Sequence, residues 1–419
     1  MAAMPLCERI GIVLEPTSGS WDAKGTAAPI VWHEDGCYFM LYQGWEKGSG
    51  WRGDGSPRMF GLAMSEDGIH WEKHNGNPVL TPTEGSFDEL GFEAGCLLKL
   101  GDEYWLYYSG FAADGKLRIG LAFSNDLVNW RKFDSNPIVD PGTHESWDCD
   151  GVAFPSVIRM RHEWLMLYSG YGPHSMQIGG AISGDGKNWI KHGDNPLFLQ
   201  RGWHEEPECP FWDAGIEVHH AFIHGDHITM FYEGIGRQGR YGIGIAYSPD
   251  GIAWARSSRN PIMGLTDATV KQDMSVVHPW VLQGMGLLYY SEVLGASAGA
   301  VHRICAAKLN MAAIEPEHEH ALVYSLWQRH QVDINGAVTS EISCASFPQK
   351  TVWLWSSTRG SVTIEVDILG DGNWNELEEV NVDANQLWHH HIPELMARVR
   401  LRFLPRSSAF VSAWLAMSK

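Results

Sequence analysis

Glu93 and Glu217 are the residues of this chain whose type and placement point most directly to chemistry. Each stands the same distance upstream of an aligned apolar run, one beginning at Tyr104 and the other at Ile228. The matching positions before Tyr38 and Trp164 hold Ala27 and Ala153. Two carboxylates at equivalent places of non-adjacent units can face each other across a pocket, as acid/base or nucleophile/acid chemistry on an acetal requires. Asp150 is a third acid without counterparts. Other departures lie close by: Tyr232-Glu233-Gly234 where two other units read Tyr108-Ser109-Gly110 and Tyr168-Ser169-Gly170, the pair His219-His220 just after Glu217, and His278 and Glu292 further on. Histidines on adjacent strands can hydrogen-bond a ligand or hold a cation. The plain structural alternatives are a strand-end carboxylate satisfied by backbone or solvent, and a satisfied core histidine.

These positions acquire meaning within a repeat. Ser65-Glu66-Asp67-Gly68-Ile69-His70-Trp71 returns as Ser124 to Trp130, Ser183 to Trp189 and Ser248 to Trp254. Each copy is followed by Asn-Pro and an apolar residue, at Asn77-Pro78-Val79, Asn136-Pro137-Ile138, Asn195-Pro196-Leu197 and Asn260-Pro261-Ile262. A period of about sixty residues means one supersecondary unit repeated. Within each period, short aromatic and β-branched runs separated by Gly, Asp and Asn turns predict a four-stranded antiparallel meander. A degenerate fifth copy runs from about Asp267 to Ala307 and lacks the cassette, so Arg9 to Leu14 is expected to supply its outermost strand. The fold class is therefore all-β, a five-bladed β-propeller whose radial repetition protects its sheet edges.

Four copies of one cassette argue for a structural role, since an asymmetric site needs different residues from different blades. Asp-Gly forms the turn, Ser and Asp bond local backbone, and Trp packs between blades. Trp21-Asp22, Phe87-Asp88, Trp147-Asp148 and Trp212-Asp213 recur in the same way and read as scaffold. Trp21, Trp147 and Trp212, with Trp45, Trp51 and Trp203, are also the aromatics that could stack on sugar faces at the channel mouth.

Residues 1–310 are assigned to the propeller, 311–320 to a polar linker around Glu315 to His320, and 321–419 to a β-sandwich with alternating strands such as Val362 to Asp367 and a turn at Gly370-Asp371-Gly372-Asn373. A stabilising domain packed on the propeller is the plain reading of that sandwich, and sugar binding the functional one. With 419 residues and a net charge of −19, the chain is an unlikely partner for nucleic acid or an anionic membrane, and a small-molecule or oligosaccharide substrate is expected. Met1 to Pro5 has no charged segment leading into an apolar one, so a cytoplasmic location is expected. The seven cysteines lack Cys-x-x-Cys spacing and predict neither a zinc site nor a disulfide framework. No cofactor and no metal site are assigned; a central cation such as calcium near His278 is the one exception the pattern allows.

The blade period, the Ser-x-Asp-Gly-x-x-Trp cassette with its Asn-Pro, and the tyrosine strand resemble the five-bladed propeller glycoside hydrolases, the group of arabinanases, β-xylosidases, invertases and levansucrases, together with the related mannoside phosphorylases. The resemblance covers residues 1 to about 310, and the final region is similar to sandwich domains appended to such propellers. It implies a catalytic Asp before a Pro on the first inner strand, a second Asp on a later blade and a Glu acid further on. This chain has Ala28 before Pro29 and Phe154 before Pro155, and only Glu217 falls near the implied acid. The leading expectation is a carbohydrate-active enzyme cleaving or transferring a glycosidic bond, with Glu217 as general acid, Asp150 or Glu93 as base or nucleophile, and Glu233, His219 and His278 orienting the site. A lyase or cyclase acting on a small metabolite and a non-catalytic glycan-binding protein are the alternatives.

Overall fold

The computed structural model describes residues 6–48, 55–160, 163–172, 175–200, 212–225, 227–236, 240–264, 274–294, 300–314, 322–339, 342–344, 349–392, 396 and 398–418. Trp51, Trp203, Asp267 and the 315–320 linker lie outside these residues.

Four antiparallel meanders follow one another along the chain. Blade one comprises Gly25–Glu34, Cys37–Trp45, Met59–Ser65 and Glu72–Lys73; blade two, Phe92–Leu100, Glu103–Phe111, Leu117–Ser124 and Arg131–Lys132. Blade three comprises Gly151–Arg159, Trp164–Gly172, Ser175–Ser183 and Ile190–Lys191; blade four, Gly215–His224, His227–Gly236, Arg240–Ser248 and Ala255–Arg256. Blade five is built from Met274–Leu282, Leu287–Leu294 and Val301–Leu309, and its outermost strand is Cys7–Leu14, paired antiparallel from Cys7 opposite Leu309 to Leu14 opposite Ile304. The five inner strands pack against one another in cyclic order. The molecule is thus a five-bladed propeller closed by its own chain start, as the sequence predicts. No described helix is long and apolar enough to cross a membrane.

The recurring residues build two recurring polar frameworks. In blade three, Asp148 accepts hydrogen bonds from the Tyr168 hydroxyl at 3.2 Å and Lys191 Nζ at 2.6 Å, while Asn195 donates to the tyrosine oxygen at 3.1 Å and pairs with the Gly180 backbone. Asp22 with Tyr42 and Lys73, Asp88 with Tyr108 and Lys132, and Asp213 with Tyr232 and Arg256 repeat the arrangement. A buried carboxylate is tolerated because a cation and a phenol both meet it. In the cassettes the serine oxygen accepts the turn N–H and donates to the aspartate, as Ser124 does with Leu127 at 2.9 Å and Asp126 at 3.0 Å. The tryptophan indole closes the turn by donating to the carbonyl three residues before it, Trp71 to Gly68 and Trp189 to Gly186, and the Tyr289 and Tyr107 hydroxyls reach across from the preceding blade to the same two carbonyls.

The C-terminal region is a two-sheet sandwich. One sheet orders Leu322–Val332, Ala409–Ser418, Gln349–Ser356 and Leu387–Ile392; the other orders Ala337–Val338, Arg398–Pro405, Gly360–Asp367 and Asn375–Val382, with Ile342–Ser343 also on Arg398–Pro405. Val352, Leu354, Ile364, Leu401, Phe403 and Leu415 fill the space between them. The first sheet continues blade four through Ala255 opposite Tyr324, and one apolar core runs from blades four and five into the sandwich. Trp254 of the fourth cassette lies in a separate apolar core of blades three and four, beside Phe198, and is 3% exposed, whereas Trp71, Trp130 and Trp189 are half-buried. The aspartates register the same difference. Hydrogen bonds to the turn hold Asp67, Asp126 and Asp185 below the ordinary carboxylate range, first from the His70 N–H, the Asn129 side chain and the Asn188 N–H respectively, while burial pushes Asp250 up.

Candidate functional site

Each inner strand slips register against its neighbour at the same height, between Ala27 and Ile30, Glu93 and Gly95, Ala153 and Ser156, Ile216 and His219, and Val277 and Trp280. The slips create five equivalent bulges at Ala28, Ala94, Phe154, Val218 and His278. Ala28, Phe154 and His278 have φ of 48°, 54° and 54°, in the left-handed region that a side chain rarely adopts, and each precedes a proline. One residue of every second strand fastens the next blade beside its bulge. Gln43 Nε2 donates to Phe92 O at 3.0 Å, Ser109 Oγ accepts the Phe154 N–H at 2.7 Å, and Ser169 Oγ donates to Glu217 O at 2.5 Å. Glu233 Oε2 accepts the His278 N–H at 3.0 Å, and Ser291 Oγ accepts the Ala28 N–H at 3.0 Å. The serine of Tyr-Ser-Gly is therefore an inter-blade fastener, and Glu233 performs that task in blade four.

Glu93 lies within electrostatic reach of Glu217, and Glu233 lies against Glu217. Tyr171 donates to Glu217 Oε1 at 2.6 Å. Glu233 hydrogen-bonds the Glu217 carboxyl, and burial first, then the Glu217 charge, hold Glu233 well above the usual carboxylate range. Two carboxyls in this relation share one proton and titrate as a unit. Glu217 is the partly exposed member; Glu233 is 1% exposed. Glu93, 3% exposed, forms a 2.7 Å ion pair with Arg58. Burial raises it to about 7 against the opposing pull of that guanidinium. Burial also raises Tyr171 and Tyr241, the neighbouring glutamates adding to it.

Of His219, His220 and His278, the first two are fixed by backbone. His219 donates from Nδ1 to Glu217 O at 3.3 Å, since a carbonyl can only accept, and burial lowers it to about 4. His220 accepts the Val281 N–H at 2.9 Å and stacks on Trp280 at 3.9 Å, locking blades four and five together. His278 bonds Ser291 Oγ through Nδ1 at 3.1 Å. The charged neighbour of His278 is Arg58, and no cluster of three or more metal-ligating groups occurs among the described residues.

Other expected residues stand elsewhere. Asp150 is exposed at the start of the third inner strand, beside the Cys149 thiol. The rings of Trp21, Trp147 and Trp212 cover glycine backbone in their own blades, at Gly44 and Gly61, Gly170 and Gly179, and Gly234 and Gly244. A side chain at those glycines would occupy the ring volume, so these tryptophans act as scaffold. Trp45 is fully buried beneath Arg58, 4.6 Å from its ring centre, within an apolar cluster containing Ala28, Phe154 and Val218.

Arg58, Tyr171, Tyr241 and His302 were not singled out from the sequence. The signal exists one layer outward. Register pairs Leu117, Met176, Tyr241 and His302 on the third strands with Phe111, Tyr171, Ile235 and Val293 at the ends of the second strands, and in blade one Arg58 immediately precedes and Trp45 immediately follows the last registered pair, Met59 and Gly44. Subtracting the repeat there exposes the same asymmetry as on the inner strands.

Residues 29–214 match the family model described as the glycosyl hydrolases family 32 N-terminal domain. A family 117 glycoside hydrolase of the marine bacterium Zobellia galactanivorans superposes with a TM-score of 0.57 at 14% identity, covering 73% of this chain and 91% of that chain. A structure from the GH130 family of mannoside phosphorylases superposes with a TM-score of 0.51 at 17% identity, covering 72% and 93%. The chain thus shares the five-bladed propeller fold of these solved glycoside hydrolase structures. Among curated proteins, it is 33% identical over 164 residues to an uncharacterized protein of Mycobacterium tuberculosis, a match covering 38% of this chain and spanning about half, 52%, of that relative. It is 34% identical over 77 residues to a β-1,2-mannobiose phosphorylase of Thermoanaerobacter sp., 18% of this chain and 24% of that protein.

Proposed function

We propose that the chain cleaves or transfers a glycosidic bond of an oligosaccharide or glycoside at the axial mouth of the propeller. The observation that carries this reading is the Glu217–Glu233 pair with Tyr171 on Glu217. A proton shared between two carboxyls, one of them partly exposed, is a ready supply for the leaving oxygen of an acetal. Glu217 delivers it; Glu233 and Tyr171 hold it in place. Glu93, poised at about 7 beside Arg58, is the preferred base, and Asp150 at the rim is the other candidate. The test is a panel of aryl glycosides and oligosaccharides, each with and without inorganic phosphate as acceptor. Glu217→Gln is expected to lower turnover by about a hundredfold or more, and Glu93→Gln and Asp150→Asn separate the two bases. Turnover unchanged by Glu217→Gln and Glu93→Gln would sink the proposal.

One observation favours a second reading, glycan binding without turnover. The two bulges where the resemblance implies aspartates hold Ala28 and Phe154, both buried in apolar contacts. Saturable sugar binding with no product across the whole panel would select it.

A further inference from the structure

Of the five bulge residues, only His278 has a side chain that can hydrogen-bond; the equivalent positions are Ala28, Ala94, Phe154 and Val218. Its hydrogen bonds decide which ring nitrogen carries the proton. Ser291 Oγ accepts the Ala28 N–H, and a hydroxyl has one proton of its own to give. In blade two the equivalent Ser109 gives that proton to Ala94 O at 3.1 Å, and in blade three Ser169 gives it to Glu217 O. The other partner of Ser291 Oγ is His278 Nδ1 at 3.1 Å, so the nitrogen accepts. In a neutral imidazole the proton then stands on Nε2.

The surroundings keep the ring neutral. Burial first, then the Arg58 guanidinium and His302, hold its pKa well below the ordinary histidine value. Glu233 from the second strand of blade four faces the His278 backbone N–H, and Ser291 from the second strand of blade five faces Nδ1. Nε2 has no hydrogen-bond partner among the described residues, and the side chain is partly exposed.

The geometry points to His278 as a neutral hydrogen-bond donor at the mouth, presenting Nε2–H to an uncharged oxygen of the ligand, a sugar hydroxyl or the glycosidic oxygen. It is not a general base, because its one free nitrogen already carries a proton. The identity of the ligand rests on the proposed carbohydrate chemistry; the tautomer does not.

The experiment has two arms. Long-range proton–nitrogen correlation spectra of histidine-labelled full-length protein, with the His278 signals assigned by their loss in His278→Gln, read the tautomer directly. A neutral Nε2–H pattern is expected at every pH from about 5 to about 8, and Ser291→Ala should erode the preference. An Nδ1–H pattern, or an imidazolium forming near the ordinary histidine pKa, overturns the assignment whatever the activity. The second arm uses a p-nitrophenyl glycoside that the panel shows to be bound or turned over. His278→Gln, which can place an amide donor near Nε2, should stay within a few-fold of the parent, while His278→Asn, which reaches only toward Nδ1, should lose about tenfold in affinity or kcat/KM. Equal losses in both variants overturn the donor role. The expected tautomer with a silent panel means that the carbohydrate reading has failed and the donor has not.

Discussion

At the outer rim, four turns hold nearly the same hydrogen bonds around Asp67, Asp126, Asp185 and Asp250; around the axis, five equivalent bulges hold Ala28, Ala94, Phe154, Val218 and His278. Both regions are products of one repeated unit. At the rim, side chain and backbone repeat together, because each turn must satisfy its own polar groups and support the adjoining blade. At the axis the backbone repeats and the side chains do not, because five strands converge on one space and only differences among them can make it asymmetric. Repetition thus marks what holds the ring together, and departure from it marks where chemistry can occur.

The comparison can be strained from the rim inward. Lys191→Met leaves Asp148 buried with its phenol but without its cation, and should cost about 3–5 kcal/mol of stability in chemical denaturation. A loss below about 1 kcal/mol would mean that the framework is cosmetic. On the mouth side, Glu93 gives stability a pH slope of known sign. Its pKa rises from 4.5 to about 7 on folding, so the folded state alone keeps the proton between those values and stability falls as pH rises through that window. Glu93→Gln should flatten that fall, a difference on the order of 3 kcal/mol across the window. A slope left intact in the variant removes Glu93 as its source.

Smaller effects sharpen the rim. Ser124→Ala strands the buried Leu127 N–H and should cost about 1–3 kcal/mol. Asp126 and Asp250 should then respond oppositely to acid. A carboxylate held low contributes stability that is present above its unfolded pKa and lost as pH falls, whereas Asp250, pushed up by burial, contributes most when protonated. Asp250→Asn should therefore be the milder of the two asparagine substitutions at neutral pH, the cost of Asp126→Asn shrinking and that of Asp250→Asn growing as pH falls. Identical pH profiles would show that deeper burial leaves the fourth cassette's electrostatics unchanged.

Much of this was legible in the sequence, for a physical reason. Asp22, Tyr42, Asn77 and the cation at Lys73 recur because one buried polar framework must be rebuilt in each of the first four blades, and that recurrence exposes the period. Glu93 and Glu217 were legible as departures from it. Glu233 was legible as a departure but not as a fastener, because the hydrogen bond that defines that role crosses to blade five. Arg58 and Tyr171 were missed because they lie where strands end and loops of unequal length begin, so alignment fails without register. Trp21, Trp147 and Trp212 look like ligand aromatics in one dimension; only the glycines beneath them reveal their task.

The central claim, that the mouth carries function and the rim carries the fold, is tested most directly by measuring turnover and unfolding on the same two variants. Glu217→Gln should lose about a hundredfold or more in turnover with stability equal to or above the parent, and Ser124→Ala should lose stability while its folded fraction turns over normally. A Glu217→Gln protein that keeps its turnover, or a folded Ser124→Ala protein that loses it, would contradict the account.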